Sequence, residues 1–340
     1  MVSRLVEVAG YAGVSEATVS RVLNGKPGVS QSTRAAVLTA LDVLGYERPP
    51  QLRGRANRLV GLVVSEMTNP IFPAFAEVIG RTLAQRGFTS VLCTGTLGGV
   101  HERDYVDMLL EHQVAGAVFV CGLHAERAAD HEHYARLADR GLPVVAVNGM
   151  IEELKIPCVS CDDALAVELA VRHLASLGHT RIGLAVGGEG HIPAARKMAS
   201  FRAAVREHVG VTDADADIVQ TMYTLEGGTS AALRLFERGV TGVVCGSDVI
   251  ALGAVRAARR ARLDVPGDVS VVGYDDSSFM PFADPPLTTV RQPVDAMGQA
   301  VVSLLLGQIS GTQARPEEML FEPELVVRGS TGVGPSRNGG

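Results

Sequence analysis

The chain has 340 residues, 46% hydrophobic and 20% charged, enough for two or three folding units. It enters helix-like sequence almost at once and has no apolar run near the ~20 residues of a bilayer span, so neither a leader nor a membrane segment is expected. The net charge of −6 argues against a nucleic-acid binder, but residues 1–60 hold eight Lys/Arg against four Asp/Glu, or +4, leaving 23 against 33, or −10, for the rest. A cationic front on an anionic body can lie along a phosphate backbone while the body stays off it.

Residues 4–24, RLVEVAGYAGVSEATVSRVLN, predict two short amphipathic helices joined by a four-residue turn. Leu5, Val8 and Ala9 share one face of the first, and Gly13 stops it. Ser15 caps the second, whose Val19, Val22 and Leu23 turn inward at spacings of three and four. Its outer face carries Glu16, Ala17, Thr18, Ser20 and Arg21, small enough and polar enough to enter a major groove. A third helix over 30–45 starts at Ser30, buries Val37, Leu41 and Leu44, and ends at Gly45. The basic segment ERPPQLRGRANRLV follows and reads as a linker.

From Gly61 onward short apolar runs alternate with helical segments. The strands are GLVVS (61–65), SVLCT (90–94), GAVFV (116–120), PVVAVN (143–148), CVSCD (158–162), RIGLAV (181–186), GVVCG (242–246) and VSVVGY (269–274). Continuously apolar strands between helices imply parallel sheets covered on both faces, and this many fit two doubly wound sheets with ligands at the strand carboxyl ends. The five cysteines are odd in number and scattered through these runs, which fits buried thiols in a reducing cytoplasm. Cys158 and Cys161 have C-x-x-C spacing but no second pair, and His131-Glu132-His133 is not a metal-binding H-E-x-x-H, so no metal or cofactor is expected. The sequence lacks G-x-S-x-G and Walker motifs, GGEG at 187–190 is short of a dinucleotide fingerprint, and no enzyme is expected.

The segment AGVSEATVSRVLNGKPGVSQSTRAAVLTALDVLGY resembles the headpiece of the lactose-repressor (LacI/GalR) family of bacterial transcription regulators. The likeness runs to ELVVRGST near the end. Through GYERP, NPIFPAFAEVIG, GLHA, YTLEGG, DPPLTTVR and PELVVRGST it is similar, within that family, to the maltose-operon repressors of actinomycetes. The resemblance implies an α/β chain: a three-helix helix-turn-helix domain (1–46), a linker or short hinge (47–59) and a two-lobed periplasmic-binding-protein-like domain (60–329). Lobe 1 is then about 60–160 and 289–318, lobe 2 about 161–288 and 320–329, with a flexible tail at 330–340 that has no heptads for tetramerisation. The implied partners are double-stranded operator DNA, a small sugar effector and a second copy of the chain, with no membrane.

By the same resemblance Glu16, Ala17 and Arg21 reach base edges. Arg21 suits guanine O6 and N7, Ala17 a thymine methyl, and Glu16 either cytosine N4 or only the helix dipole. Ser15, Thr18, Ser20 and Asn24 are phosphate contacts, with Thr33 a further candidate. Leu52 matches the leucine that family members wedge into the minor groove, and Arg53 and Arg55 supply backbone or groove charge. The linker is shorter than is usual in the family, and Pro49, Pro50 and Gly54 limit any hinge helix to one or two turns.

The implied effector contacts are Asn69, Phe72 and Asn148 in lobe 1, and Lys197 with its neighbour Arg196, Ser247, Asp248 and Asp275 in lobe 2. Carboxylates accept from paired sugar hydroxyls, while amides and cations donate to their oxygens. Lysine stands where the family usually has arginine, and serine where it usually has asparagine. The chain has no tryptophan, unusual for a sugar site; Phe72, Phe201, Tyr274, Phe279 and Phe282 are the available rings. A transport-type sugar-binding protein is the alternative that the lobes alone would suit, and cellobiose or another oligosaccharide, or a corepressor, the alternative ligand.

Overall fold

The computed structural model describes residues 4–24, 26, 28–46, 58–95, 99–211, 213–312 and 314–335. The chain divides into two compact units, Met1–Leu59 and Val60–Gly340.

The first unit is three helices, α1 (Arg4–Ala12), α2 (Glu16–Leu23) and α3 (Gln31–Val43). Gly13 and Gly45 take φ of 65° and 70°, the left-handed turn that ends a helix at no steric cost to glycine. The Ser15 hydroxyl accepts the Thr18 N–H at 3.2 Å and the Ser30 hydroxyl accepts the Thr33 N–H at 3.1 Å, satisfying orphan donors at the starts of α2 and α3. Val8, Ala9, Val19, Val22, Val37, Ala40 and Leu41 close the core, with Leu5, Leu23 and Leu44 packed at its edge. The Tyr46 hydroxyl donates to Glu7, tying the end of the unit back to α1. So small a core leaves the unit marginally stable by itself.

The second unit holds two six-stranded sheets. In the first lobe the chain runs β1 (Leu59–Val64), α4 (Ile71–Gln85), β2 (Thr89–Thr94), α5 (Glu102–Glu111), β3 (Gly116–Val120), α6 (Glu132–Asp139), β4 (Val144–Val147) and β5 (Cys158–Cys161). The second lobe continues with α7 (Asp163–Ser176), β6 (Ile182–Val186), α8 (Ile192–His208), β7 (Ile218–Gln220), α9 (Leu225–Glu237), β8 (Gly242–Cys245), α10 (Asp248–Ala261), β9 (Ser270–Asp275) and β10 (Thr288–Arg291). The chain then returns to lobe 1 with α11 (Val294–Ile309) and β11 (Glu318–Phe321), and ends in lobe 2 with β12 (Glu324–Val326). Strand orders are β11-β5-β4-β3-β1-β2 and β12-β10-β9-β8-β6-β7. Pairing is parallel wherever it is resolved except for β10 with β12, which is antiparallel. β1, β3, β4, β5, β6, β8 and β9 are almost wholly buried, as strands covered on both faces must be.

Three boundaries differ from the expected ones. Residues 288–291 pair with β9 and so belong to lobe 2; the second crossover falls at Gln292, not at 289. β11 extends lobe 1 through Phe321 by pairing with β5, so the third crossover lies at 322–323. The tail expected to be flexible from 330 is docked at first. The Ser330 hydroxyl accepts the Thr288 N–H at 2.8 Å and donates to Val271 O at 2.7 Å, and the Gly334 N–H reaches Leu177 O at 2.8 Å. Polar residues there complete the ends of β9 and β10, work for which no apolar pattern is needed. Residues 336–340 lie outside the described ones, as do linker residues 47–57.

Candidate nucleic-acid interface and ligand cleft

On the first unit, Ser15, Glu16, Ala17, Arg21 and Asn24 are exposed, and Thr18, Ser20 and Thr33 are half-buried. The inward turn of Val19 and Val22, both fully buried, fixes which side of α2 these residues occupy. Several of the polar groups already serve the backbone. Ser15 and Thr18 hydroxyls lie 2.9 Å apart, the Asn24 amide donates to Ser20 O at 2.8 Å, and Thr33 meets the Ser30 hydroxyl at 2.8 Å. A hydroxyl has one donor and two acceptor sites, so a capping serine still has hydrogen-bonding capacity for a phosphate. Leu52, Arg53 and Arg55 lie outside the described residues.

The second unit contains a cleft of about 520 Å³ between the carboxyl ends of the two sets of strands. Asn69, Phe72 and Asn148 line it from lobe 1, and Lys197, Ser247 and Asp275 from lobe 2. Asp275 ends β9 with φ of 117° and is only 4% exposed. Its carboxylate accepts from the Gln292 amide at 2.8 Å and from the Asn69 amide at 3.4 Å. Gln292 in turn accepts from Asn148 at 3.3 Å, so one hydrogen-bonded chain runs from lobe 1 through the crossover to lobe 2. Burial, with Asp248 nearby, pushes the Asp275 carboxyl well above the usual aspartate range.

Lys197 is almost fully buried, ion-paired with Asp163, and sits 4.1 Å from the centre of the Tyr274 ring. Burial raises the Asp163 carboxyl, with Lys197 pulling the other way. His191 is held down at about 4 by burial and by Lys197, so it is neutral near pH 7. Among the described lining residues Lys197 is then the single Lys or Arg, against Glu66, Glu126, Asp163 and Asp275. Lys197 is spent on Asp163, so the described lining offers a phosphate no unpaired Lys or Arg, and its hydroxyl, amide and carboxyl groups suit a neutral ligand rich in hydroxyls. Phe72, Tyr223 and Tyr274 supply its rings, whereas Phe201 is buried in the core and Phe279 and Phe282 face outward elsewhere. A Cβ at Gly187 would meet the Tyr223 ring at 2.3 Å, so a side chain there would displace that ring from the cleft wall.

Two expected contacts are not in the cleft. Arg196 neighbours Lys197 on α8, and successive helical residues point in different directions; its guanidinium makes a fork with Glu318 at 2.7 and 2.8 Å. Asp248 is fully buried beneath β9 and β10, accepting from Thr289 at 2.6 Å and from the Ser277 N–H at 2.7 Å. Asp163, His191, Tyr223 and Gln292 were not singled out from sequence. Asp163 carried a signal, a carboxylate just past a recognised strand, while Gln292 follows a strand that its TTVR sequence concealed.

Across the cleft the Arg127 N–H of lobe 1 donates to Gly190 O of lobe 2 at 3.0 Å, beside an antiparallel bridge between Glu126 and His191. Beneath that clasp Glu102 accepts from His133 at 2.8 Å, from Tyr134 and from the Leu123 N–H at 3.1 Å. Burial alone would raise its carboxyl, but these donors outweigh it and the Glu102 value is lowered. His131 is engaged with the carbonyls of Leu123 and Glu126, and Cys158 and Cys161 are buried free thiols pushed up to about 12 by burial.

Comparison with known proteins bears on both units. Residues 4–49 match the family of bacterial regulatory proteins, lacI family, and residues 171–331 match a periplasmic binding protein-like domain. The chain is 54% identical over 342 residues to the HTH-type transcriptional regulator MalR of Streptomyces coelicolor, covering 100% of this chain and 99% of that one. A solved complex of the transcriptional regulator CelR with cellobiose superposes with a TM-score of 0.73 at 32% identity, covering 97% of this chain and 100% of that one. The lac repressor dimer bound to operator and the anti-inducer ONPF gives 0.70 at 27%, covering 98% and 100%.

Proposed function

The chain belongs to the LacI family of bacterial regulatory proteins, and we propose that it is a dimeric repressor of sugar-utilisation genes, released from a pseudo-palindromic operator by maltose or a maltodextrin. The observation that carries this reading is the cleft in which Asp275, Gln292, Asn69 and Asn148 join the two lobes through one chain of hydrogen bonds. A sugar entering there competes for the same donors and acceptors, so it changes the relative stability of lobe arrangements, which is what an effector must do. The ring-lined cleft, whose one lysine is paired with Asp163, favours an unphosphorylated sugar, and the segments that resemble maltose-operon repressors favour an α-glucan.

At the operator, Arg21 and Ala17 read base edges, Glu16 reads cytosine or serves the helix dipole, and Ser15, Thr18, Ser20, Asn24 and Thr33 set register on phosphates. A two-fold site read by one small head calls for a symmetric dimer with half-sites about one helical turn apart. Leu52 wedges a central base step, flanked by Arg53 and Arg55. Cellobiose is the second reading, favoured by the likeness to CelR in its cellobiose complex. The test is a gel-shift titration of the promoter of a maltose operon with maltose, maltotriose and cellobiose. Release by the first two supports the proposal; release by cellobiose alone supports the second reading; and no preference for the promoter over random duplex rejects both.

A further inference from the structure

We propose that Asp276, gripped by Arg291 and Arg328, is a positioning residue that fixes the turn aiming the Asp275 carboxylate into the cleft and ties that turn to the lobe-crossing strands. The inference rests on the sugar-effector reading above, and it assigns work to a residue that does not line the cleft.

Asp275 and Asp276 have φ of 117° and 55°, and neither is glycine. Aspartate tolerates the left-handed 55° at Asp276 better than most residues, whereas 117° at Asp275 is a value L side chains rarely hold unless the surroundings impose it. Here each oxygen of the Asp276 carboxylate is taken by a different guanidinium. Arg291 Nε donates to one at 2.7 Å and an Arg328 terminal nitrogen to the other at 2.6 Å, with the Asp276 side chain only 7% exposed. Charge-assisted bonds of that length are among the stronger polar contacts a protein makes. With its side chain held by both arginines, Asp276 fixes the turn in which Asp275 faces the cleft.

The two arginines are themselves placed at crossovers. Arg291 ends β10 and is followed directly by Gln292, the residue that donates to Asp275. It also reaches Glu324 on β12 at 3.1 Å, just past the third crossover. Arg328 leaves β12 and donates to Leu287 O at 2.7 Å ahead of β10. A change at Asp275 on ligand binding therefore bears directly on the two strands whose ends carry the chain between lobes.

The test uses the full chain with Asp276→Asn, which keeps the shape and removes the charge, and with Arg291→Lys and Arg291→Met. Calorimetric titration with maltose and maltotriose should show binding weakened about tenfold in Asp276→Asn and Arg291→Met, with Arg291→Lys restoring most of it. Operator affinity without sugar should stay within about twofold. A merely structural role would lower the unfolding temperature and leave the sugar affinity of the folded protein as it was; wild-type affinity in Asp276→Asn overturns the proposal. Should Asp276→Asn not fold, Arg291→Met carries the same comparison. If the unmodified protein binds neither sugar, the effector reading fails and a crystal structure of the variant decides this one. Loss of the left-handed turn and of the Gln292 contact supports it, and their retention overturns it.

Discussion

In the head, the side chains proposed to meet DNA lie, among the described residues, between Ser15 and Thr33, all local to two helices and none of them buried. In the cleft, Asn69 and Asp275 meet across 206 positions of sequence, both at least 95% buried, and their orientation depends on strands from both lobes. The contrast explains how the two regions answer mutation. Exposed side chains on two short helices lose contacts singly and leave the fold in place. A cleft built from buried, mutually bonded groups loses an arrangement.

The largest expected effect is at Asp275. Asp275→Ala removes the acceptor that Gln292 and Asn69 share, so sugar affinity should fall about 100-fold, on the ~1–3 kcal/mol scale of each buried donor left unsatisfied. Operator binding without sugar should persist, leaving a repressor that sugar no longer releases. Calorimetry and anisotropy on the same preparation check both halves, and sugar release at wild-type concentrations would break the contrast. Arg21→Ala comes next. Operator affinity should drop by roughly 1–3 kcal/mol, the worth of one bidentate arginine–guanine contact, while sugar affinity and unfolding temperature stay put. A loss of equal size on random DNA would reassign Arg21 to the backbone.

Glu102→Gln sharpens the comparison from the side of stability. It replaces a buried carboxylate that accepts from His133, Tyr134 and Leu123, and should cost the body about 1–2 kcal/mol, leaving the head's helices as they are. Because the Glu102 carboxyl is held below its ordinary value of 4.5, the stability it contributes is present above that range and lost as pH falls through it. The difference in denaturant midpoint between the two proteins should therefore narrow below about pH 4.5. A gap that stays constant there would mean Glu102 is not ionised in the fold.

Legibility from sequence followed the same division. The three head helices were readable because caps, glycine stops and a 3.6-residue period are local signals. The strands at 61–65, 116–120, 143–148, 181–186, 242–246 and 269–274 were readable because central parallel strands are continuously apolar. β7, β10 and β11 were not, since they are three or four residues long and polar or half-exposed, as IVQ, TTVR and EMLF show. Missing β10 misplaced the second crossover, and with it went Gln292. Asn69, Phe72, Asn148, Lys197, Ser247 and Asp275 were found through family likeness at strand ends. Arg196 and Asp248 share that neighbourhood in sequence, but α8 and the N-terminus of α10 turn them toward Glu318 and Thr289. Whether a side chain faces a cleft or supports it is decided by partners that sequence proximity does not disclose.

Coupling between the two units is the central claim, and thermodynamic reciprocity tests it most directly. Calorimetry should give the maltotriose dissociation constant for the free protein and for the protein saturated with operator; anisotropy should give operator affinity with and without the sugar. Coupling requires the two ratios to agree, at about 5–150-fold. Equal maltotriose affinity with and without operator, in a protein that binds both, would contradict it.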